Sequence, residues 1–572
     1  MKHNTIFEAF KGSVEKYPDN EALGWLVDGT YQTITYAELE EKVKQLAAGF
    51  NKHGLSQGDK LAFMVPNSPE WAMIDLACAQ LGITDVPIHT TYGPEYITYI
   101  TEHTGARWLI ISQEFYQAYH KDIQELSVEK IIVVDASETK LDECDAAMPL
   151  KDLFVDGDIQ KVDVKQDDIH TIIYTSGTTG KPKGVMLSHH NLLRNALGAT
   201  EYIPVNPDDR FLSFLPLSHS LERTAGHYTP LLSGAAIYYA QDKRTMKDDI
   251  LKARPTILVA VPRVFEKVYD AVQDKATHES GLKRWLFYKA LDYGTKKRKG
   301  ELSGLSQTIY NILDALVLKK IRASLGGRIK FTVSGGSALS PDIMQFFEDI
   351  GILIVEGYGL TETSPVVATN GVEDYRFGTV GKPIPGVEVK IAGDGEILVR
   401  GHCVMQGYYE NDEATREAIS SEGWFATGDL GALDKDGFLS ITGRKKEMIV
   451  LSTGKNVAPV PIEQEMETNR FIAQALVYGD NQKHISGLIV PDFDELRRWA
   501  EEKGIEFHVS TILEREDVLK LYEHELHSQL NHFPEVEQIH NFRLIAEEFT
   551  QENDLLTPTL KLKRNKILEK YL

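Results

Sequence analysis

Cysteine is scarce in this chain: only Cys78, Cys144 and Cys403 occur in 572 residues, with no C-x-x-C spacing. A disulfide framework is excluded, and a reducing compartment, most simply the cytoplasm, is the expectation. Long apolar runs are missing as well. The start, MKHNTIFEAFKGSVEKYPDN, has no apolar core of signal-peptide length. No later stretch reaches the ~18 uncharged apolar residues of a membrane-spanning helix. Basic charge is in deficit, with 62 lysines and arginines against 84 aspartates and glutamates, a net charge of −22. That balance repels nucleic-acid phosphates, so nucleic acid is not an expected partner. Low-complexity tracts and fixed-period repeats are also absent. What remains is an ordinary globular composition, 42% hydrophobic and 9% aromatic, in a chain long enough for several structural units.

From about residue 58, short apolar runs alternate with helical patterns. KLAFMV is followed by SPEWAMIDLACAQLG, with apolar residues at i, i+3 and i+4, then by WLIIS and KIIVVDA. This order predicts an α/β fold of parallel-rich sheets flanked by helices. PNSPEW predicts a helix start, with Ser68 as N-cap and Pro69 in the first turn. TIIYTS, TILVAVP and FTVSGG read as further strands. Near residue 380 the pattern shifts to GTVGKPIPGVEVKIAGDGEILVRG, a small β-barrel-like subdomain of hairpins over about 376–443 in which AGDG makes a tight turn. The predicted organisation is a large N-terminal domain, 1–443, and a small α+β C-terminal domain, 444–572.

YTSGTTGKPKG, Tyr174 to Gly184, is the first stretch that suggests chemistry. Three glycines and several hydroxyls allow backbone N–H groups to converge on an anion, and Lys181 and Lys183 add charge. It is not a P-loop, because Thr175 stands where the first glycine is needed and Pro182 where the hydroxyl is needed. A solvated turn after a buried strand is the plainer alternative for such a loop taken alone.

The whole string resembles the signature of the adenylate-forming (AMP-binding) superfamily. YGLTETSP (Tyr358 to Pro365), TGDL (Thr427 to Leu430), GRKKEMIVLSTGKNVAPVPIE (Gly443 to Glu463) and LTPTLKLKR (Leu556 to Arg564) follow in that family's order. The resemblance implies that Thr175, Ser176, Gly177, Thr178, Thr179 and Lys183 hold the β- and γ-phosphates of ATP. It further implies that Glu362, with Thr178, holds Mg2+ and that Thr361 meets the α-phosphate. Ser337, Ala338, Gly357, Tyr358 and Gly359 would form the adenine slot. Asp429 would accept the ribose hydroxyls, with Arg444 as its cationic companion. Lys561 would bridge carboxylate and α-phosphate oxygens during adenylation; Leu560 replaces the glycine common before this lysine, and Lys563 lies close by. Lys446 falls at the hinge of a mobile C-terminal lid, and Gly454 in the CoA tunnel. In this family the lid takes two orientations, one for each half-reaction.

FLPLSHSLER, ending at Arg223, and VAVPRVFEKVYDAV resemble the long-chain-fatty-acid CoA ligases, and His219 becomes the candidate for the acyl-pocket mouth. The implied reaction joins ATP and a fatty acid into acyl-AMP with release of pyrophosphate, after which CoA takes the acyl group. Transfer to a carrier protein, or an inactive nucleotide-binding regulator, are the alternatives; the intact Glu362, Asp429, Arg444 and Lys561 weigh against the last. Between Lys283 and Lys299 stand seven basic residues and one acid, interleaved with Trp285, Phe287 and Tyr288. Such a segment suits peripheral contact with an anionic membrane, or else a core-packing helix with a solvated basic face.

Overall fold

A computed structural model of the chain describes residues 3–136, 147–175, 182–242, 244–550, 552–556 and 562–572. It is an α/β structure that divides into two compact units. The larger comprises residues 1–389, 399–425 and 435–439, and the smaller 390–398, 426–434 and 440–572.

Two mainly parallel sheets build the larger unit. One has eight strands, in the order Gly407–Tyr408, Lys183–Ser188, Ile169–Thr175, Thr84–Pro87, Lys60–Met64, Trp108–Ser112, Lys130–Val134 and Ala147–Pro149. The other has nine and includes Arg210–Ser213, Ile257–Ala260, Phe331–Ser334 and Leu353–Gly359 as successive parallel neighbours. Strands such as Trp108–Ser112 are buried along their whole length, as parallel strands covered on both faces must be. The helix Pro69–Leu81 begins as PNSPEW predicts: the Ser68 side chain accepts from the Trp71 amide and Pro69 occupies the first turn.

A four-stranded sheet follows, ordered Val387–Ile391, Glu396–Gly401, Phe425–Leu433 and Leu439–Arg444. Its first hairpin turns at AGDG, where the Gly395 amide donates to the Ala392 carbonyl and Gly395 adopts φ +87°. In the smaller unit, strands Ile472–Tyr478, Ser486–Pro491 and Asn541–Leu544 form one sheet. The helices Pro459–Glu467 and Glu516–Leu530 contribute Met466, Tyr522 and Leu526 to a separate core with Phe471 and Ile489.

Candidate active site

The stretch YTSGTTGKPKG joins two antiparallel strands, Ile169–Thr175 and Lys183–Ser188, with Thr175 opposite Lys183 and Tyr174 opposite Gly184. Of its proposed ligands, Thr175 and Lys183 are placed; Ser176, Gly177, Thr178 and Thr179 lie outside the described residues. The walls of the loop are held firmly. The Tyr174 hydroxyl is 2.6 Å from His103 Nδ1, and the Tyr99 hydroxyl donates to the Pro182 carbonyl at 3.2 Å. A Cβ on Gly184 would stand 2.8 Å from Ile172 Cγ2 and 3.1 Å from the Tyr174 ring, so close packing requires the glycine.

Glu362 lies in the 3-10 turn Thr361–Thr363, and its neighbour across space is Tyr408. The Tyr408 hydroxyl donates to Glu362 Oε1 at 3.0 Å, while Lys183 Nζ lies 4.8 Å from the centre of the Tyr408 ring. Backbone bonds reinforce this meeting: Met405 N–H donates to the Glu362 carbonyl, and Tyr409 N–H to that of Gly184. Burial, then the Glu362 carboxylate, push the Tyr408 phenol well above its usual range, so it remains a donor. Tyr408 was not legible as a site residue, because the strand Gly407–Tyr408 that carries it is two residues long. A half-buried carboxylate aligned in this way suits a hard divalent cation, which takes oxygen ligands.

Thr361 Oγ1 lies 3.2 Å from Ser220 Oγ, which brings the proposed α-phosphate contact beside the LSHS segment. His219, half-buried, stacks obliquely 5.1 Å from the ring of His89. Burial lowers His89 to about 4, and its Nδ1 is 2.7 Å from Ser218 Oγ.

Ser337 and Ala338 are exposed on the loop after Phe331–Ser334, while Gly357, Tyr358 and Gly359 end the adjacent strand Leu353–Gly359. A buried carboxyl that the sequence reading missed ties the two segments. Glu356 Oε1 accepts the Leu339 amide at 3.0 Å, and burial raises Glu356 to about 8. Gly359 packs so tightly that a Cβ would come 1.7 Å from the Pro365 carbonyl oxygen.

Beneath the loop strand sits a charge network with no solvent exposure. Arg223, from the π-helical turn Glu222–Tyr228, donates to Asp75, to Asp85 at 2.6 Å, to Thr171 at 2.7 Å and to the Tyr228 hydroxyl at 2.9 Å. Burial alone would raise the Asp75 carboxyl, but Arg223 and bonds from His170 and His227 hold it well below the usual range. Asp75, Asp85 and His170 place one ligand-capable atom each within 4.8 Å of one another, yet Arg223 already occupies the role a cation would have. Glu222, next in the chain, is wholly buried beside Ser213, and burial pushes its carboxyl up to about 8.

In the smaller unit Arg444 Nε pairs with Asp429 Oδ1 at 2.9 Å, and the Asp429 amide donates to Thr427 Oγ1. Asp429 is almost wholly buried, so its carboxylate is fixed in place by the pair. Lys446 lies in the 3-10 turn Lys445–Glu447, whose Lys445 bonds Asp394 and Glu396. Gly454 turns the short hairpin Ile449–Val450 and Asn456–Val457 with φ +78° and open space around its Cα. Lys561 lies outside the described residues. Its neighbours have partners: Lys563 pairs with Asp554, and Arg564 with Glu463.

The model of the AMP-binding enzyme family matches residues 10–409, and that of the AMP-binding enzyme C-terminal domain matches 446–524. The chain is 34% identical over 569 residues to a long-chain-fatty-acid–CoA ligase of Mycobacterium bovis, covering 97% of this chain and 93% of the relative. A peroxisomal long chain acyl-CoA synthetase of Arabidopsis thaliana is 33% identical, with coverages of 98% and 84%. Among solved structures, an anthranilate CoA ligase with bound anthranoyl-AMP superimposes at TM-score 0.78 and 19% identity over 100% of this chain and 98% of its own.

Proposed function

We propose, from the premise that the chain belongs to the AMP-binding enzyme family, that it is an AMP-forming long-chain fatty acid–CoA ligase. The observation that carries the reading is likeness over nearly the full length to enzymes bearing that name, at about the same identity in a bacterium and a plant.

In the first half-reaction a fatty-acid carboxylate oxygen attacks the α-phosphorus of ATP; the bond to the bridging oxygen breaks and pyrophosphate leaves. Two anions must meet, so the protein's task is to supply positive charge and orientation. In this reading Thr175, Lys183 and the hydroxyls between them hold the departing phosphates. Glu362, aligned by Tyr408, and Thr178 would hold Mg2+, which neutralises phosphate charge when bound. Thr361 meets the α-phosphate, and Gly357 to Gly359 with Ser337 and Ala338 take the adenine. Asp429, locked by Arg444, accepts the ribose hydroxyls, and Lys561 places its ammonium where charge accumulates. In the second half-reaction the CoA thiolate attacks the acyl carbonyl and AMP leaves. Gly454 would border the CoA path, Lys446 would act as hinge, and His219 would stand at the mouth of the acyl pocket. The basic segment 283–299 is read as meeting an anionic membrane.

Pyrophosphate release measured across acids of increasing chain length, with and without CoA, tests the reading. Turnover highest with long acids and AMP release that needs CoA are expected; release that needs a carrier protein instead would overturn it. Lys561→Ala should lower adenylation at least a hundredfold while sparing thiolysis of supplied acyl-adenylate. Equal loss in both steps would contradict the role given to Lys561.

A further inference from the structure

Half of the most exposed large apolar side chains among the described residues fall in one short span. They are Leu282, Trp285 and Tyr288 on the helix Gly281–Arg298, and Leu305, Ile312 and Leu316 on the helical run from Gly304 to Leu318. Leu305 is 76% exposed, Leu282 69% and Trp285 55%. Single exposed leucines need no explanation, but such a concentration does. The two helical stretches pack on each other, with Lys297 Nζ 3.3 Å from the Tyr310 hydroxyl, and bury Phe287, Ala290, Tyr310 and Leu313 in a common core. The exposed residues are therefore what is left over after the hairpin has packed. Leu305, Ile312 and Leu316 recur at i, i+7 and i+11, the spacing of one helical stripe.

Charge selects the occupant. Residues 281–324 carry ten basic side chains and three acids, a net +7, so the remainder of the chain carries −29. Some of these cations are committed: Arg298 pairs with Asp349, Arg322 with Asp314, and Lys296 with Asp292. Lys299, Lys319 and Lys320 have no ion pair among the described residues. A second copy docked symmetrically through this face would bring a like-charged hairpin against this one. An anionic lipid surface supplies both missing complements: phosphate for the lysines, and acyl chains for leucine, isoleucine and the ring of Trp285.

We infer that the hairpin 281–324 is a peripheral membrane-docking element whose exposed apolar residues enter the interface of an anionic bilayer while its lysines hold the headgroups. This widens the basic segment 283–299 to a second helix, and names insertion, not charge alone, as the mode of attachment. The inference rests on exposure and charge and does not depend on the ligase reading.

The test uses the full-length protein and vesicles of phosphatidylcholine, alone or with about one third phosphatidylglycerol. One variant combines Leu282→Ser, Trp285→Ser, Leu305→Ser, Ile312→Ser and Leu316→Ser; another combines Lys289→Gln, Lys299→Gln, Lys319→Gln and Lys320→Gln. The unaltered protein should partition at least tenfold more strongly onto the anionic vesicles. The glutamine variant should lose that preference, and the serine variant should lose binding at least tenfold in low salt. Quenching of tryptophan fluorescence by brominated lipid should fall when Trp285→Phe is introduced. Unchanged circular dichroism and unfolding temperature establish that the variants fold. Equal binding to both vesicle types, undiminished binding of the serine variant, or a dimer that the serine substitutions dissociate while vesicle binding persists would each overturn the inference. A protein that binds vesicles yet activates no acid would remove the ligase reading and leave this one standing.

Discussion

Glu356 and Glu222 each keep a proton at neutral pH because burial makes the carboxylate expensive, and both titrate near pH 8 in the folded chain against an ordinary value of 4.5. Between those two values the native state holds a proton that the unfolded chain releases, so stability falls as pH rises, by about 1.4 kcal/mol per pH unit for each group, and levels off above the folded value. Glu356→Gln keeps a neutral acceptor for the Leu339 amide and should remove its share, about half, of this slope. Denaturant unfolding from pH 5 to 9 checks it; a slope unchanged in the glutamine variant would mean that Glu356 is ionised in the native protein. Tyr408→Phe tests a different dependence. Removing the hydroxyl leaves Glu362 Oε1 without its 3.0 Å donor, at a cost of about 1–1.5 kcal/mol. The kcat/KM for ATP should fall about tenfold with little change in unfolding temperature. An unaffected kcat/KM would show that Glu362 is aligned without Tyr408.

The π-helical turn Glu222–Tyr228 performs two packing tasks at once. It delivers Arg223 between Asp75 and Asp85, and it folds Glu222 back on Gly226, where a Cβ would come 2.5 Å from the carboxyl oxygen. Arg223→Met should destabilise the protein by about 3–5 kcal/mol, because two aspartates would be left buried without their cation. Chemical denaturation measures it, and a loss under 1 kcal/mol would mean that the aspartates take up protons instead. Helix starts and strand order were legible in the sequence because they depend on near neighbours: Ser68 and Pro69 announce their helix within a few residues. The partners of Arg223 and Glu362 were not legible, since Asp75 lies 148 residues from Arg223 and Tyr408 lies 46 from Glu362. Periodicity reports which face is buried and is silent about which charges meet there. The loop hydroxyls from Ser176 to Thr179, and Lys561, stand on their motifs alone. Thr175, Lys183, Asp429 and Arg444 also stand in defined surroundings.

On the scale of the molecule, each compact unit has a hydrophobic core of its own and its own share of the proposed ligands. Lys446→Pro would fix φ near −65° and remove an amide at the proposed hinge. The expected outcome is a selective loss: one half-reaction slows at least tenfold more than the other, measured by pyrophosphate exchange and by thiolysis of added acyl-adenylate. Equal slowing would remove the hinge assignment. The helical hairpin 281–324 has a consequence that reaches beyond contact distance. A body that is +7 in one place and −29 elsewhere experiences a torque near a negatively charged plane, so it turns before it lands. Although the net charge of −22 slows the approach itself at low ionic strength, its orientation on landing should be more uniform there. That advantage should fade as the Debye length shrinks below about 8 Å, even while apolar residues already inserted keep bound molecules in place.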